Sequence, residues 1–170
     1  EEITQLPNVF VAPLSIIYKG KEYTDQVDIS VEEVQDILSR NELIQTSQPS
    51  VGTVHALYED IQSQGYDHII VVSLSSKLSG TFNSFSAAAD ALDNNNVSVI
   101  DTMTIAGPVQ ASAAIIEKLN QAGKSVDEIV ETLNTFYKHT ESYVIPETLD
   151  QLKASGRISA GAAAVASLLR

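Results

Sequence analysis

Two kinds of apolar pattern alternate along the 170-residue chain. Short apolar runs, such as Ile69 to Val72, are typical of strands buried on both faces. Between these runs, apolar residues recur every three or four positions, as expected for amphipathic helices. The patterns predict strands within residues 9–17, 22–24, 67–73, 97–101 and 142–145. They predict helices over residues 31–40, 54–65, 81–92, 105–122 and 126–136, and a further helix that Pro146 opens as its first residue.

Local signals support several of these boundaries. Ser30 to Glu33 and Ser125 to Glu128 both match the capping box, in which a serine hydroxyl and a glutamate three residues later satisfy the first backbone N–H groups of a helix. Gly20, between Lys19 and Lys21, favours a tight hairpin turn after the first strand.

The alternation of strands and helices predicts an α/β fold with a mainly parallel sheet flanked by helices. We expect one such domain over residues 1–155, followed at 156–170 by the start of a linker or helix. The stretch from Ala162 to Arg170 is apolar and lacks a closing element, and an apolar helix at an open end usually packs against a later part of the same chain. The chain is therefore expected to be a fragment whose C-terminal domain is absent.

Charge and composition exclude several classes of function. The net charge is −12, and the ten basic residues form no run, which argues against a nucleic-acid partner. There is no cysteine, so a disulfide framework or a thiolate metal site is impossible. The apolar runs are too short to span a bilayer. Glu1 to Thr4 lack the features of a signal peptide, so we expect a cytoplasmic location.

Two loops rich in hydroxyl groups are the strongest candidates for chemistry. The first covers residues 46–50 and the second residues 73–81, and each precedes a predicted helix. Hydroxyls and free backbone N–H groups at a helix N-terminus can bind a carboxylate or a phosphate. Neither loop contains a carboxylate, histidine or cysteine, so they are suited to holding a ligand. Simple helix capping is the alternative interpretation of the first loop.

A third loop, over residues 101–107, also follows a predicted strand. Ligands of open α/β sheets bind beyond the carboxyl ends of the strands, so all three loops are expected to converge on one rim. Asp101 is the one acid at a predicted strand end, and capping of the helix near Ile105 is its favoured role over catalysis.

Four motifs together resemble the DegV family of fatty-acid-binding proteins. They are Thr46-Ser47-Gln48-Pro49-Ser50, Ser75-Ser76-Lys77-Leu78-Ser79-Gly80-Thr81, Asp101-Thr102 and Leu152-Lys153-Ala154-Ser155-Gly156-Arg157-Ile158-Ser159. The motifs follow the family's order at about its spacing. The family's opening strand with its Thr-Asp-Ser motif is missing before Glu1, and the chain stops where the second domain of the family begins.

The resemblance implies a protein that holds a long-chain fatty acid in a tunnel between two domains, with the carboxylate hydrogen-bonded by hydroxyls. Carried over by motif, the carboxylate ligands are Ser79 and either Thr46 or Ser47, with the backbone of Gly80 and Thr81 nearby. The resemblance implies no catalysis, cofactor or metal. Some members are binding subunits that present the fatty acid to a separate ATP-dependent kinase, so a fatty acid kinase catalytic subunit is a possible partner.

Other interpretations of the sequence remain open. A phosphoryl-transfer enzyme is one alternative, although the chain has no Walker-type phosphate loop and no evident acidic cluster for Mg²⁺. A non-catalytic interaction domain is another. Phe82 and Phe85 are interpreted as core residues that could also flank an acyl chain. The three histidines are scattered and show no metal-ligand spacing.

Overall fold

The computed structural model describes residues 6, 8–146 and 149–158, which form two compact units. Of the described residues, the parallel-strand unit contains 6, 8–12 and 48–142, and the antiparallel unit contains 13–47, 143–146 and 149–158. In chain order the elements are β1 (Ser15–Tyr18), β2 (Lys21–Thr24), α1 (Val31–Ser39), β3 (Gln45–Ser47), α2 (Val51–Ser63), β4 (Ile69–Ser73), α3 (Thr81–Asp90), β5 (Val97–Asp101), α4 (Gly107–Gln121), α5 (Val126–Lys138) and α6 (Asp150–Ala154).

The parallel-strand unit is built on β4 and β5. The two strands pair in parallel, with Ile69 opposite Val97 and Ser73 opposite Asp101. Side chains alternate between the faces of a strand, so the continuous apolar run of β4 supplies both faces. Ile69 and Val71 point into one core, while Ile70 and Val72 pack against another. The expectation of a strand buried on both sides is therefore confirmed.

Helices cover both faces of this strand pair. On one face α2 and α3 contribute the buried residues Val54, Tyr58, Ile61, Phe85 and Ala88. On the other, Ile100 packs with Ile129, Leu133 and Tyr137 of α5, and residues of α4 lie against them. Helix α3 makes the crossover from β4 to β5, because parallel neighbours cannot be joined by a tight turn.

The antiparallel unit has β1 at the centre of a three-stranded sheet, between β2 and β3. Lys19 and Gly20 form the turn of the β1–β2 hairpin, both with positive φ. Ile37 of α1 is buried with Ile16 and Ile29. This small core accounts for the position of α1 against the sheet.

The antiparallel unit also contains a charged cluster centred on Glu42. Its carboxylate lies 2.7 Å from Lys19 Nζ, accepts a hydrogen bond from the Tyr18 hydroxyl at 2.6 Å and another from Arg40 Nε at 2.8 Å. The hydrogen bonds from Lys19, Tyr18 and Arg40 lower the pKa of Glu42 to about 2. In addition, Gln151 of α6 donates to the Glu42 carbonyl.

Both predicted capping boxes are present. Ser30 accepts from the backbone N–H of Glu33 at 3.1 Å, and the Glu33 carboxylate accepts from the backbone N–H of Ser30 at 2.8 Å. Ser125 and Glu128 make the same reciprocal pair at the start of α5. The sequence signal thus located the first residues of α1 and α5.

The α/β class is confirmed, while the strand pairing is more mixed than expected. The parallel pair is β4 with β5, and the other three described strands are antiparallel. The predicted two-residue turn between β1 and β2 allows only antiparallel pairing, and β3, which the sequence did not reveal as a strand, also pairs antiparallel with β1.

Two predictions near the end of the described chain are wrong. Residues 142–145 do not form a strand, because none of the described strands pairs with them, and Tyr143, Val144 and Ile145 are exposed. Pro146 does not open a helix, since α6 begins at Asp150. The expected apolar end, Ala162 to Arg170, lies outside the described residues, and the domain division at 155/156 stays a prediction.

Candidate functional site

The second hydroxyl loop connects β4 to α3 and is folded back on itself. The backbone N–H groups of Leu78 and Ser79 both donate to the carbonyl of Ser75, at 3.0 and 3.1 Å. Ser75 and Thr81 are buried, while Ser79 is half-buried. The turn therefore places Ser79 at the N-terminus of α3, next to the buried residues Ser75 and Thr81.

Ser79 and Thr81 form a hydroxyl pair. Ser79 Oγ and Thr81 Oγ1 lie 2.8 Å apart, and the backbone N–H of Thr81 donates to Ser79 Oγ at 3.3 Å. Each hydroxyl has one proton and two acceptor positions. One of the two protons is used between the hydroxyls, so one remains. When Thr81 donates to Ser79, the half-buried Ser79 holds the remaining proton and can donate it to a ligand.

Helix α3 begins without a side-chain cap. Its N-cap residue is Gly80, which makes no side-chain hydrogen bond, whereas Ser30, Ser50 and Ser125 cap their helices. The first N–H groups of a helix carry partial positive charge. The hydroxyl pair thus lies beside a helix end that favours an anionic group.

The side chain of Gln48 lies against the N-terminus of α3. Its Nε2 donates to Ser84 Oγ at 2.8 Å, and a Cβ at residue 80 would lie 1.7 Å from Gln48 Oε1. The predicted site residues did not include Gln48, although it stands in the middle of the first hydroxyl motif. Its long amide side chain was the one available signal, because it can reach another element where serine and proline cannot.

Asp101 connects the second hydroxyl loop with the loop after β5. Its Oδ1 accepts hydrogen bonds from the backbone N–H groups of Ser76 at 3.0 Å and Met103 at 3.2 Å. Burial alone would raise the pKa of Asp101, but these hydrogen bonds outweigh it and hold the pKa below its ordinary value. The predicted capping role is wrong: the chain turns between Thr102 and Ala106, and Ala106 is the N-cap of α4 with no side-chain bond.

Backbone bonds bring these two loops together as expected. Ser75 donates its N–H to the Thr104 carbonyl at 2.9 Å, and Thr102 donates to the Ser73 carbonyl at 3.2 Å. The Thr102 hydroxyl accepts from the backbone N–H of Thr104. Extension of the β4–β5 pairing beyond the strand ends therefore fixes the hydroxyl-rich edge.

The first hydroxyl motif is divided between the two units. Thr46 and Ser47 lie in β3, opposite Ile16 and Ser15, and both are exposed. Their description as a loop is corrected, because a three-residue polar strand carries no apolar alternation to reveal it. Ser50 caps α2 by accepting from Thr53, so the capping interpretation holds for this residue. A ligand role for Thr46 or Ser47 stays a prediction.

The other candidate residues have ordinary environments. Phe85 is part of the core beside α2, as predicted, and Phe82 is half-buried. His55 lies 3.3 Å from Glu59, and His68 contacts Ser98. None of the described helices has both the length and the apolar character needed to cross a membrane.

Fold and site together define an α/β domain whose sheet edge is lined by hydroxyl groups. The sequence profile of the DegV family, described as an uncharacterised protein family, matches residues 1–170. The chain therefore belongs to the DegV family.

Individual relatives agree with this assignment. A DegV domain-containing protein of Clostridium acetobutylicum is 38% identical over 165 residues, which cover 95% of this chain and 58% of the relative. The chain thus spans about three-fifths of the length of that relative.

Solved structures show the same fold. DegV from Bacillus subtilis, described as a fatty acid binding protein, matches with a TM-score of 0.78 and 30% identity, covering 94% of this chain and 57% of the other. A DegV family protein from Thermus thermophilus, described by its fatty acid binding, matches with a TM-score of 0.78 and 27% identity over 93% of this chain and 56% of the other.

Proposed function

We propose that this chain forms the carboxylate-holding part of a protein that binds a long-chain fatty acid. The observation that carries the proposal is the Ser79–Thr81 hydroxyl pair at the uncapped start of α3. Fatty acid binding in the related proteins from Bacillus subtilis and Thermus thermophilus supports it. The proposed ligands are Ser79, the backbone at Gly80 and Thr81, and one of Thr46 and Ser47.

The chemistry of the pair suits a carboxylate. Ser79 donates its proton to one carboxylate oxygen, and the Thr81 hydroxyl supports Ser79 from the buried side. A hydrogen bond to a charged acceptor contributes about 1.5–3 kcal/mol. Burial of the acyl chain contributes about 0.8 kcal/mol per CH₂ group. The tail thus supplies most of the affinity, and neutral head-group donors allow the ligand to leave.

The proposed role is binding rather than catalysis. The related proteins are described by fatty acid binding, and the Ser79–Thr81 pair is not bonded to a histidine or carboxylate of the described residues that would activate a nucleophile. We further propose that the bound carboxylate is presented to a separate ATP-dependent fatty acid kinase, which would place the protein in the cytoplasm. This partnership rests on the family resemblance.

Lipid extraction tests the binding role. The complete protein is purified, denatured and extracted, and the extract is examined by mass spectrometry. We expect a long-chain fatty acid at close to one per protein. Absence of lipid, together with no heat of oleate binding to delipidated protein, would overturn the proposal.

Ser79→Ala tests the head-group ligand. We expect a loss of about 1–2 kcal/mol in oleate binding, because one bond to a charged acceptor disappears. Ser63→Ala is the matched control, since the Ser63 hydroxyl donates to the Asp60 carbonyl at the end of α2, away from the hydroxyl pair. Equal affinities of the two variants would contradict the role of Ser79.

A further inference from the structure

We propose that Gln48 is a positioning residue for the Ser79–Thr81 hydroxyl pair. Its amide lies across Gly80 and bonds to Ser84, and so fixes the entry of α3 and the direction in which Ser79 donates. This inference rests on the proposed function, because it assigns the support of the same carboxylate site.

Gly80 lies directly under the end of the Gln48 side chain. Gly80 has φ −74° and ψ 3°, a conformation that any L-residue adopts without strain. Backbone freedom is therefore not the reason for glycine. A Cβ at residue 80 would lie 1.7 Å from Oε1 and 2.7 Å from the side-chain carbonyl carbon of Gln48. Any other residue at position 80 would therefore require the end of the Gln48 side chain to move.

The amide nitrogen of Gln48 bonds to a buried serine of α3. Nε2 of Gln48 donates to Ser84 Oγ at 2.8 Å, and Ser84 is only 2% exposed. The backbone N–H of Ser84 in turn donates to the Gly80 carbonyl at 3.1 Å. Gln48 therefore spans the first turn of α3 from Gly80 to Ser84. One contact is steric and the other is a hydrogen bond, so the turn is held at both ends.

The hydroxyl pair lies on either side of Gly80 in the sequence. Ser79 immediately precedes Gly80 and Thr81 immediately follows it, so the two hydroxyls of the pair flank the residue that Gln48 covers. A rotation of the Gly80 peptide changes the position of the Thr81 N–H that Ser79 accepts. Gln48 restricts this rotation without belonging to the hydroxyl pair.

The experiment compares two ligands with the same tail. Oleate carries a carboxylate, and oleyl alcohol has the same chain without the charge. In the complete protein, Gln48→Ala should weaken oleate binding about threefold to tenfold, the size expected for one lost hydrogen bond, and change oleyl alcohol binding by less than about twofold. A loss of general stability would weaken both ligands alike.

A double-mutant cycle tests whether positions 48 and 80 affect oleate binding through the same contact. Gly80→Ala should weaken oleate binding about as much as Gln48→Ala, because the new methyl group displaces the amide. In the Gln48→Ala background the same substitution should cost less than about twofold, since the space is then empty. Gly52→Ala is the control, because a Cβ there meets only Ser50 Oγ at 3.9 Å.

The outcomes distinguish this inference from the proposed function. If the parent protein does not bind oleate, both the proposed function and the positioning role of Gln48 are overturned. If the parent binds oleate and Ser79→Ala weakens it, but Gln48→Ala binds like the parent or loses both ligands equally, the positioning role alone is overturned. The positioning role would also be overturned if the loss of oleate affinity in the Gln48→Ala/Gly80→Ala protein equalled the product of the losses in the two single variants.

Discussion

Ser76 and Asp101 are 25 positions apart in sequence, yet the backbone N–H of Ser76 donates to Asp101 Oδ1 over 3.0 Å. The same oxygen accepts from the N–H of Met103, which has a φ of 53°. One carboxylate oxygen therefore holds the loops that follow β4 and β5. The backbone pairing of the strands does not supply this link, because both N–H groups lie beyond the strand ends and the acceptor is the side chain of Asp101, the last residue of β5.

Removal of this link should destabilise the protein. We expect Asp101→Ala to lower the free energy of unfolding by about 1 kcal/mol, a value reduced from that of a buried charged bond because Asp101 is only partly shielded from water. Asp101→Asn keeps an acceptor oxygen and should lose about half as much. Urea denaturation measures both. Full stability of Asp101→Ala would show that the loops are held by their backbone bonds alone.

The Glu42 cluster should make stability depend on acid. The pKa of Glu42 in the folded chain is about 2, below the ordinary value of 4.5, so the folded state favours the ionised form. Its contribution is fully present above pH 4.5 and is lost as the pH falls towards 2. Glu42→Gln should therefore flatten the pH dependence of the unfolding free energy in this range.

Other carboxyl groups should still make the unfolding free energy of the Glu42→Gln variant depend on pH. The hydrogen bonds from Lys124 and Ser125 also lower the pKa of Glu128 to about 2, so the variant curve is not level. The measurement is urea denaturation at a series of pH values. Parallel curves for the parent and Glu42→Gln would contradict the contribution of Glu42.

The core beside α5 should be intolerant of truncation. Leu133 is 0% exposed, and Leu133→Ala removes buried volume that its neighbours can refill only in part. We expect a loss of about 2–5 kcal/mol in the free energy of unfolding. Leu43 is 59% exposed, and Leu43→Ala should change stability by less than about 0.5 kcal/mol. Similar losses in the two variants would contradict this assignment of the core.

The Thr81 hydroxyl should strengthen oleate binding indirectly, through its hydrogen bond to Ser79. Thr81→Val keeps the shape of the side chain but removes the proton that Ser79 accepts, and we expect oleate binding to weaken about threefold to tenfold. Thr81→Ser keeps the hydroxyl and should bind within about twofold of the parent. Calorimetric titration of delipidated complete protein measures both. Equal affinities of the valine and serine variants would show that the proton of Thr81 is not used.

Much of the fold could be predicted from local signals that depend on few residues. Ser30 and Ser125 marked the helix starts because a capping box is satisfied within four residues. The β4 run was recognisable because a strand covered by helices on both faces needs apolar residues at every position. The wrong strand at 142–145 shows the limit of such signals, since a strand also needs a partner that its own residues do not specify.

The candidate site was only partly predictable for the same reason. The turn that holds Ser79 lies within one loop, and its hydroxyls are evident in the sequence. The roles of Gln48 and Asp101 depend on contacts with residues 36 and 25 positions away. Such contacts arise from the packing of whole elements. A glutamine beside a proline, or an aspartate at a strand end, does not by itself indicate which backbone it will meet.

The close approach at Gly80 has a consequence for sequence divergence within the family. Residues 48 and 80 compete for one volume, so a substitution at one position limits the choices at the other. A relative that gains a side chain at position 80 can accommodate it when position 48 becomes shorter. The two positions should therefore vary together across the family, although they are 32 positions apart in the sequence.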